Sequence, residues 1–273
     1  MGGHVTAPAA ALADELPGWV TLLRAPNPGP MTLDGTNTWL LRAPGQPGVV
    51  IDPGPADEEH LAAVATHEPI GLVLITHGHP DHTDGARRLH ELLAGVPVLA
   101  VDPAHTHAGE PLGSGPVPGV PGLDLRLVPT PGHTGDSVCF LARHGEEQAV
   151  LTGDTILGRG TTVVAHPDGH LGDYLTSLEL LATYRGVPAL PGHGPALADC
   201  GAAAEFYLAH RRARLDQVRA AVAGGATTAS EVVATVYADV DPSLWWAAEW
   251  SVRAQLEYLG RESGGGIAGL EQA

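Results

Sequence analysis

The chain has no lysine: all 14 of its basic residues are arginine, set against 31 acidic ones, for a formal net charge of −17 over 273 residues. Binding to a nucleic-acid backbone rests mainly on lysine and arginine contacts to phosphate. An acidic surface therefore weakens non-specific RNA affinity, and DNA is not an expected partner. Cysteine is scarce too, with only Cys139 and Cys200 present, which fits a reducing cytosol; Cys139, in an apolar stretch, reads as a buried and inert thiol. No segment approaches the roughly 20 uninterrupted apolar residues of a membrane span. The N-terminus has no basic stretch ahead of an apolar one, and Asp14 and Glu15 interrupt its alanines, so no signal peptide is expected. The expectation is a cytoplasmic protein with no membrane partner. There is no internal repeat, and no serine or cysteine sits in a convincing triad context. The length suits one large domain and a small one.

What the chain does have is a concentration of histidine and aspartate. Thr76 to His82 read T-H-G-H-P-D-H directly after the apolar run 71–75. Imidazole nitrogen and carboxylate oxygen are zinc ligands, about four of them at ~2.0–2.2 Å. His77 and His79, two apart in extended chain, point the same way and can pinch one ion. Pro80 then turns the chain, so that Asp81 and His82 face elsewhere, toward a second. Pro131-Gly132-His133-Thr134, Thr152-Gly153-Asp154-Thr155 and Pro191-Gly192-His193-Gly194 each follow a short apolar run. Each reads as a strand ending in a glycine-bearing turn that displays one polar side chain. A rigid sheet positions chemistry on its loops in this way.

The series H-x-H-x-D-H, then His, then Asp, then His resembles the ligand series of the metallo-beta-lactamase superfamily. The resemblance implies a metal set of His77, His79, Asp81, His82, His133, Asp154 and His193. By the family pattern His77, His79 and His133 hold one zinc and Asp81, His82 and His193 the other, with Asp154 bridging; Asp81 and Asp154 are the catalytic candidates. Two Zn2+ per chain are implied, held about 3.5–4 Å apart and sharing a hydroxide nucleophile. Residues 26–38 (P-N-P-G-P-M-T-L-D-G-T-N-T), 153–163 (G-D-T-I-L-G-R-G-T-T-V) and 174–178 (Y-L-T-S-L) are similar to the lactamase-beta-like branch, which includes a zinc-dependent endoribonuclease and acyl-carrier-protein thioesterases. The implied fold is α+β: an αββα sandwich over residues 1–198, two sheets face to face with helices outside, and a small helical, winged-helix-like domain over residues 199–273.

The pattern along the chain supports that organisation. Strands are expected at 49–51, 71–75, 96–101, 125–128, 137–141, 149–151 and 187–190. Helices are expected at 57–66, at 85–93 with Asp84 as N-cap, and at 174–184, where Leu175, Leu178 and Leu181 fall at helical spacing. The Pro- and Gly-rich stretch 111–122 reads as loop. Beyond Leu197 the chain turns helical: 202–223 ended by Gly224-Gly225, then 230–237 opened by the capping box Thr228-x-x-Glu231, then a helix begun at Asp241-Pro242-Ser243 and running to about Leu259. The last dozen residues read as frayed.

Several side chains carry two readings. Asp52, at a strand end, is either an acceptor for a ligand imidazole or a plain turn aspartate before Pro-Gly. His105 and His107 lack a following Asp-His, so no third metal is expected there. His166 and His170 either line a lid over the site or sit on a surface loop. His210, Arg211, Arg212, Arg214 and Arg219 crowd one helix, either as a solvated face or as a contact for an anionic substrate. Trp245, Trp246 and Trp250 read as packing between tail helices, and residues 27–38 as a hairpin with its tip over the site.

The flavodiiron-type relatives carry Glu where this chain has His79. True metallo-beta-lactamases lack the equivalent of Asp154, and the stretch from Asp154 to His193 has no room for an inserted nuclease domain. The expectation is therefore a binuclear zinc hydrolase acting on an ester or thioester of a small acyl substrate, or on the phosphodiester of single-stranded RNA. A mononuclear iron persulfide dioxygenase keeps a similar ligand set and stays open. A non-catalytic metal-bound scaffold would be marked by a missing ligand, and none is missing.

Overall fold

The computed structural model describes residues 10–12 and 16–262; Asp14, Glu15 and the last 11 residues lie outside them. Two five-stranded sheets form the centre. The first runs β1 (Val20–Arg24), β2 (Asn37–Leu41), β3 (Gly48–Ile51), β4 (Ile70–Leu74) and β5 (Val98–Leu99), antiparallel through β3 and parallel from there. The second is ordered β10 (Ala189–Pro191), β9 (Glu147–Gly153), β8 (Val138–His144), β7 (Asp124–Pro129) and β6 (Gly115–Pro116); only the β9–β10 pair is parallel.

The apolar runs of β2, β3 and β8 have no polar alternation because both faces are covered there, whereas β7 alternates, with Asp124 and Arg126 exposed. Alternate residues divide between two cores. Trp39, Leu41, Val49, Ile51 and Leu74 from the first sheet meet Leu125, Leu127, Phe140 and Leu151 from the second. Leu40, Val50 and Val73 point outward, onto α1 (Glu58–Ala65) and α3 (Ala86–Leu92). Cys139, Leu141 and Val150 point outward from the second sheet onto α4 (Leu171–Leu181) and α5 (Cys200–Ala223). The layering is αββα. The tail adds α6 (Ala229–Val236) and α7 (Trp245–Glu262), with Val232, Val252, Leu256 and Leu259 joining the α4–α5 core. Among the described residues no helix is long and apolar enough to cross a membrane.

Local differences have local causes. The strand expected at 96–101 shortens to Val98–Leu99, because Ala100 turns its peptide groups to Thr106 Oγ1 and the Leu112 N–H. Asp84 is not an N-cap: it closes the short helix α2 (Pro80–Thr83), and Gly85 precedes α3. The stretch expected as loop contains β6, paired to β7. The capping box of α6 is present as expected, with the Glu231 N–H donating to Thr228 Oγ1 at 3.2 Å. Trp246 and Trp250 are not packed between helices. Each is 44% exposed, and they form an edge-to-face pair at 4.9 Å on the outside of α7.

Candidate metal centre

Strands β3, β4, β7, β9 and β10 all run the same way, so their C-terminal ends open at one edge of the sandwich. Asp52 follows β3, and Thr76 to His82 follow β4. His133 lies beyond β7, Asp154 directly after β9, and His193 two residues after β10. All seven residues of the expected set meet there. Three groups have ligand atoms within 4.8 Å of one another: His77, His79 and His133; Asp81, His82 and His193; and His77, His82 and Asp154. Asp154 reaches both halves, its Oδ1 lying 3.6 Å from His82 Nε2 and its Oδ2 3.8 Å from His133 Nε2.

Each of four rings is held from behind. His133 Nδ1 donates to Val163 O at 2.8 Å, and His82 Nδ1 to Asp52 Oδ2 at 2.9 Å. The Thr76 hydroxyl donates to Asp52 Oδ2 at 2.7 Å, which leaves it only as acceptor for His77 Nδ1 at 3.0 Å. His193 Nδ1 faces Gly35 O at 3.3 Å. These oxygens accept, so the Nδ1 atoms carry protons and four Nε2 lone pairs turn inward. There the ring nitrogens crowd: His77 Nε2 lies 3.0 Å and His133 Nε2 3.1 Å from His79 Nδ1, and His82 Nε2 lies 3.3 Å from His193 Nε2. Asp154 Oδ1 is buried with no hydrogen-bond partner. Lone pairs packed against lone pairs, beside an orphaned carboxylate oxygen, repel unless positive charge lies between them. The donor set fits divalent metal.

The proton affinities tell the same story. Burial lowers His77 well below the ordinary histidine value and takes His133 down to about 4, against the pull of Asp154. Burial also lowers His193, but Asp154 and Asp81 outweigh it and push the group up to about 10. Burial raises Asp81 and Asp154, yet His193 and His82 hold both below the usual carboxylate range. The two carboxylates demand positive charge, and a proton on His193 supplies it where no cation does.

The backbone is shaped to allow this crowding. A Cβ on Gly192 would fall 2.5 Å from Asp154 Oδ1 and 2.7 Å from His82 Cε1. Gly132 holds φ +132°, and a Cβ there would strike the Tyr174 backbone at 2.3 Å. Asn37 Nδ2 ties the first sheet to the β10 turn through Pro191 O and Gly194 O, at 2.9 and 2.8 Å.

Of the residues with two readings, Asp52 is the imidazole acceptor, and it also takes the Thr76 N–H at 2.8 Å. His166 faces Glu257 of α7 at 3.8 Å, and His170 precedes α4; neither belongs to the cluster. The arginines of α5 each have a partner within the fold. Arg211 is buried, Arg212 pairs with Glu179, Arg214 bonds Val236 O, and Arg219 pairs with Asp216 and Glu262. The base of the 27–38 loop, rather than its tip, reaches the cluster: Thr36 Oγ1 lies 3.4 Å from Asp81 Oδ2, while Met31 is 40% exposed. Sequence reasoning missed Thr76, Thr162 and the Val163 carbonyl, whose signal was only their place inside the matched motifs.

The family model described as "Metallo-beta-lactamase superfamily" matches residues 31–193, and that described as "Beta-lactamase associated winged helix domain" matches residues 228–263. The chain is 35% identical over 230 residues to the lactamase-like protein vrtG of Penicillium aethiopicum, covering 81% of this chain and 72% of the relative. It is 35% identical to thioesterase pkgB of Emericella nidulans, over 72% of this chain but only 57% of that protein. A solved metallo-beta-lactamase family protein from Thermus thermophilus matches with a TM-score of 0.73 at 25% identity, over 90% of this chain and 94% of its own. Seven donors converging from two facing sheets, with a matched family model over the residues that carry them, place the chain in the metallo-beta-lactamase superfamily.

Proposed function

We propose that the protein is a binuclear zinc-dependent hydrolase that cleaves a thioester or ester of a small acyl substrate. The observation that carries the reading is the inward array of Nε2 lone pairs from His77, His82, His133 and His193 around Asp154. His77, His79 and His133 would hold one cation and Asp81, His82 and His193 the other, with Asp154 reaching both. Metal held by these residues would supply Lewis-acid polarisation of an attacked carbonyl and would bring the pKa of a bound water to about 7. Asp52 and Thr76 fix the tautomers of His82 and His77. Asp81, its side chain 27% exposed and beside Thr36, turns its Oδ2 to His193 Nε2 at 3.1 Å, where it would both hold a cation and orient the attacking water.

An acyl substrate is favoured over RNA by the net charge of −17 and by the engagement of the α5 arginines within the fold. The thioesterase name of one relative points the same way. Metal analysis of the purified protein should give about two zinc per chain; one iron per chain would move the reading to a persulfide dioxygenase. A thiol-release assay with a model thioester, run beside a short labelled RNA, should show turnover of the thioester alone, and cleavage of the RNA alone would overturn the substrate class. Asp154→Ala should abolish turnover while the far-UV circular dichroism is kept, and retained turnover would contradict the role given to Asp154.

A further inference from the structure

We infer that Arg211, on the tail helix α5, is a positioning residue for the metal centre: it holds the segment that orients His133 and braces the residue after Asp154. The inference rests on the reading of the His-Asp cluster as a metal centre. Arg211 is 4% exposed, has no carboxylate partner among the described residues, and leaves its Nε without a hydrogen bond. An unpaired guanidinium in such a place is costly and is kept only where other contacts compensate it.

The contacts it does make lead to the site. Its Nη2 donates to the carbonyl of Thr162. The Thr162 hydroxyl lies 3.2 Å from His133 Nδ1, and the next carbonyl, that of Val163, accepts from the same Nδ1 at 2.8 Å. The guanidinium also sits over the ring of Tyr174, 5.3 Å from its centroid, and the Tyr174 hydroxyl donates to Thr155 O at 2.6 Å, one residue past Asp154. One turn earlier on α5, the Tyr207 hydroxyl accepts from the Leu157 N–H at 2.9 Å. Residues four apart share a helix face, so Tyr207 and Arg211 pin the 154–163 segment at two points. The side chains that hold a ligand imidazole govern metal affinity by about 10–100-fold. Here the chain of contacts begins on a helix outside the matched catalytic region.

The test is cobalt binding to the full chain, followed by the d–d absorption of Co2+ and by competition with a chelating dye. Arg211→Met keeps the apolar stem and should weaken binding to the set containing His133 by about 10-fold or more, with a smaller loss at the second set, which Asp154 also reaches. Arg211→Lys should restore part of the loss. Arg212→Met, on the same helix but 62% exposed, should bind as wild type. In a double-mutant cycle, Arg211→Lys and Thr162→Val should lose less together than the sum of their separate losses, because both act through one imidazole. Where Arg211→Met is not recovered folded, that cycle carries the test. Wild-type affinity and spectrum in Arg211→Met, an equal loss in Arg212→Met, or additive losses in the cycle would overturn the inference alone. Wild-type protein that takes up no cobalt would overturn the metal reading with it.

Discussion

Asp52 holds a left-handed backbone conformation (φ 54°) and is almost wholly buried, yet it is adjacent to Pro53-Gly54 and could have been only a turn residue. Its carboxylate instead gathers three donors, the Thr76 N–H, the Thr76 hydroxyl and His82 Nδ1. Strain of this kind persists where surrounding contacts over-determine it. Asp52→Ala should therefore weaken cation binding at the His82 set by about 10–100-fold, measurable by competition with a chelating dye. Proton linkage gives a second prediction. His193 rises to about 10 without a cation, so it is protonated at neutral pH and must lose that proton to act as a ligand. Binding should release about one proton from this group and weaken as pH falls from 9 toward 6, seen as buffer-dependent calorimetric heats. No buffer dependence would contradict the assignment. The seven donors were legible through the resemblance of their order to a known ligand series, and His133, Asp154 and His193 also because each stands in a glycine-bearing turn after an apolar run. The Val163 carbonyl was not, since a main-chain acceptor leaves no mark on residue identity.

At the scale of elements, the strand and helix ends set the quality of the site. The Thr228–Glu231 box closes the N-terminus of α6 with reciprocal bonds, Glu231 Oε2 accepting from the Thr228 N–H at 3.2 Å. Thr228→Ala should cost about 1 kcal/mol, read as a lowered midpoint in urea, with cation binding unchanged. The box was readable because capping is local, confined to four residues. The short β5 and the exposed Trp246–Trp250 pair were not, since they depend on where Ala100 and α7 lie against distant chain. An apolar repeat shows that a helix has a covered face; it does not show which residues at its margin stay outside.

Across the whole molecule, burial on both faces explains why the central strands β2, β3 and β8 read as apolar runs, but that pattern alone does not pair two sheets. The facing arrangement was legible only through the resemblance carried by the ligand series and the 153–163 stretch. Metal bound at the centre should add to the stability of the assembled sandwich. Cations bound by the native state alone would stabilise it by mass action, and would also relieve the repulsion among the seven buried or half-buried donors, His77, His79, Asp81, His82, His133, Asp154 and His193. Dialysis against a chelator should lower the thermal midpoint, and zinc added back should restore it, rising with the logarithm of the free zinc concentration. A midpoint indifferent to both would separate the cluster from the fold's stability.

His77, His79, Asp81 and His82 come from the first sheet, whereas His133, Asp154 and His193 come from the second. During synthesis, a chain stalled before Pro191 would own only part of its chelator, however well the early strands had formed. Neither layer holds the full set alone, so complete metallation is expected after the two halves have closed, and metal held there would act as a rivet between the layers.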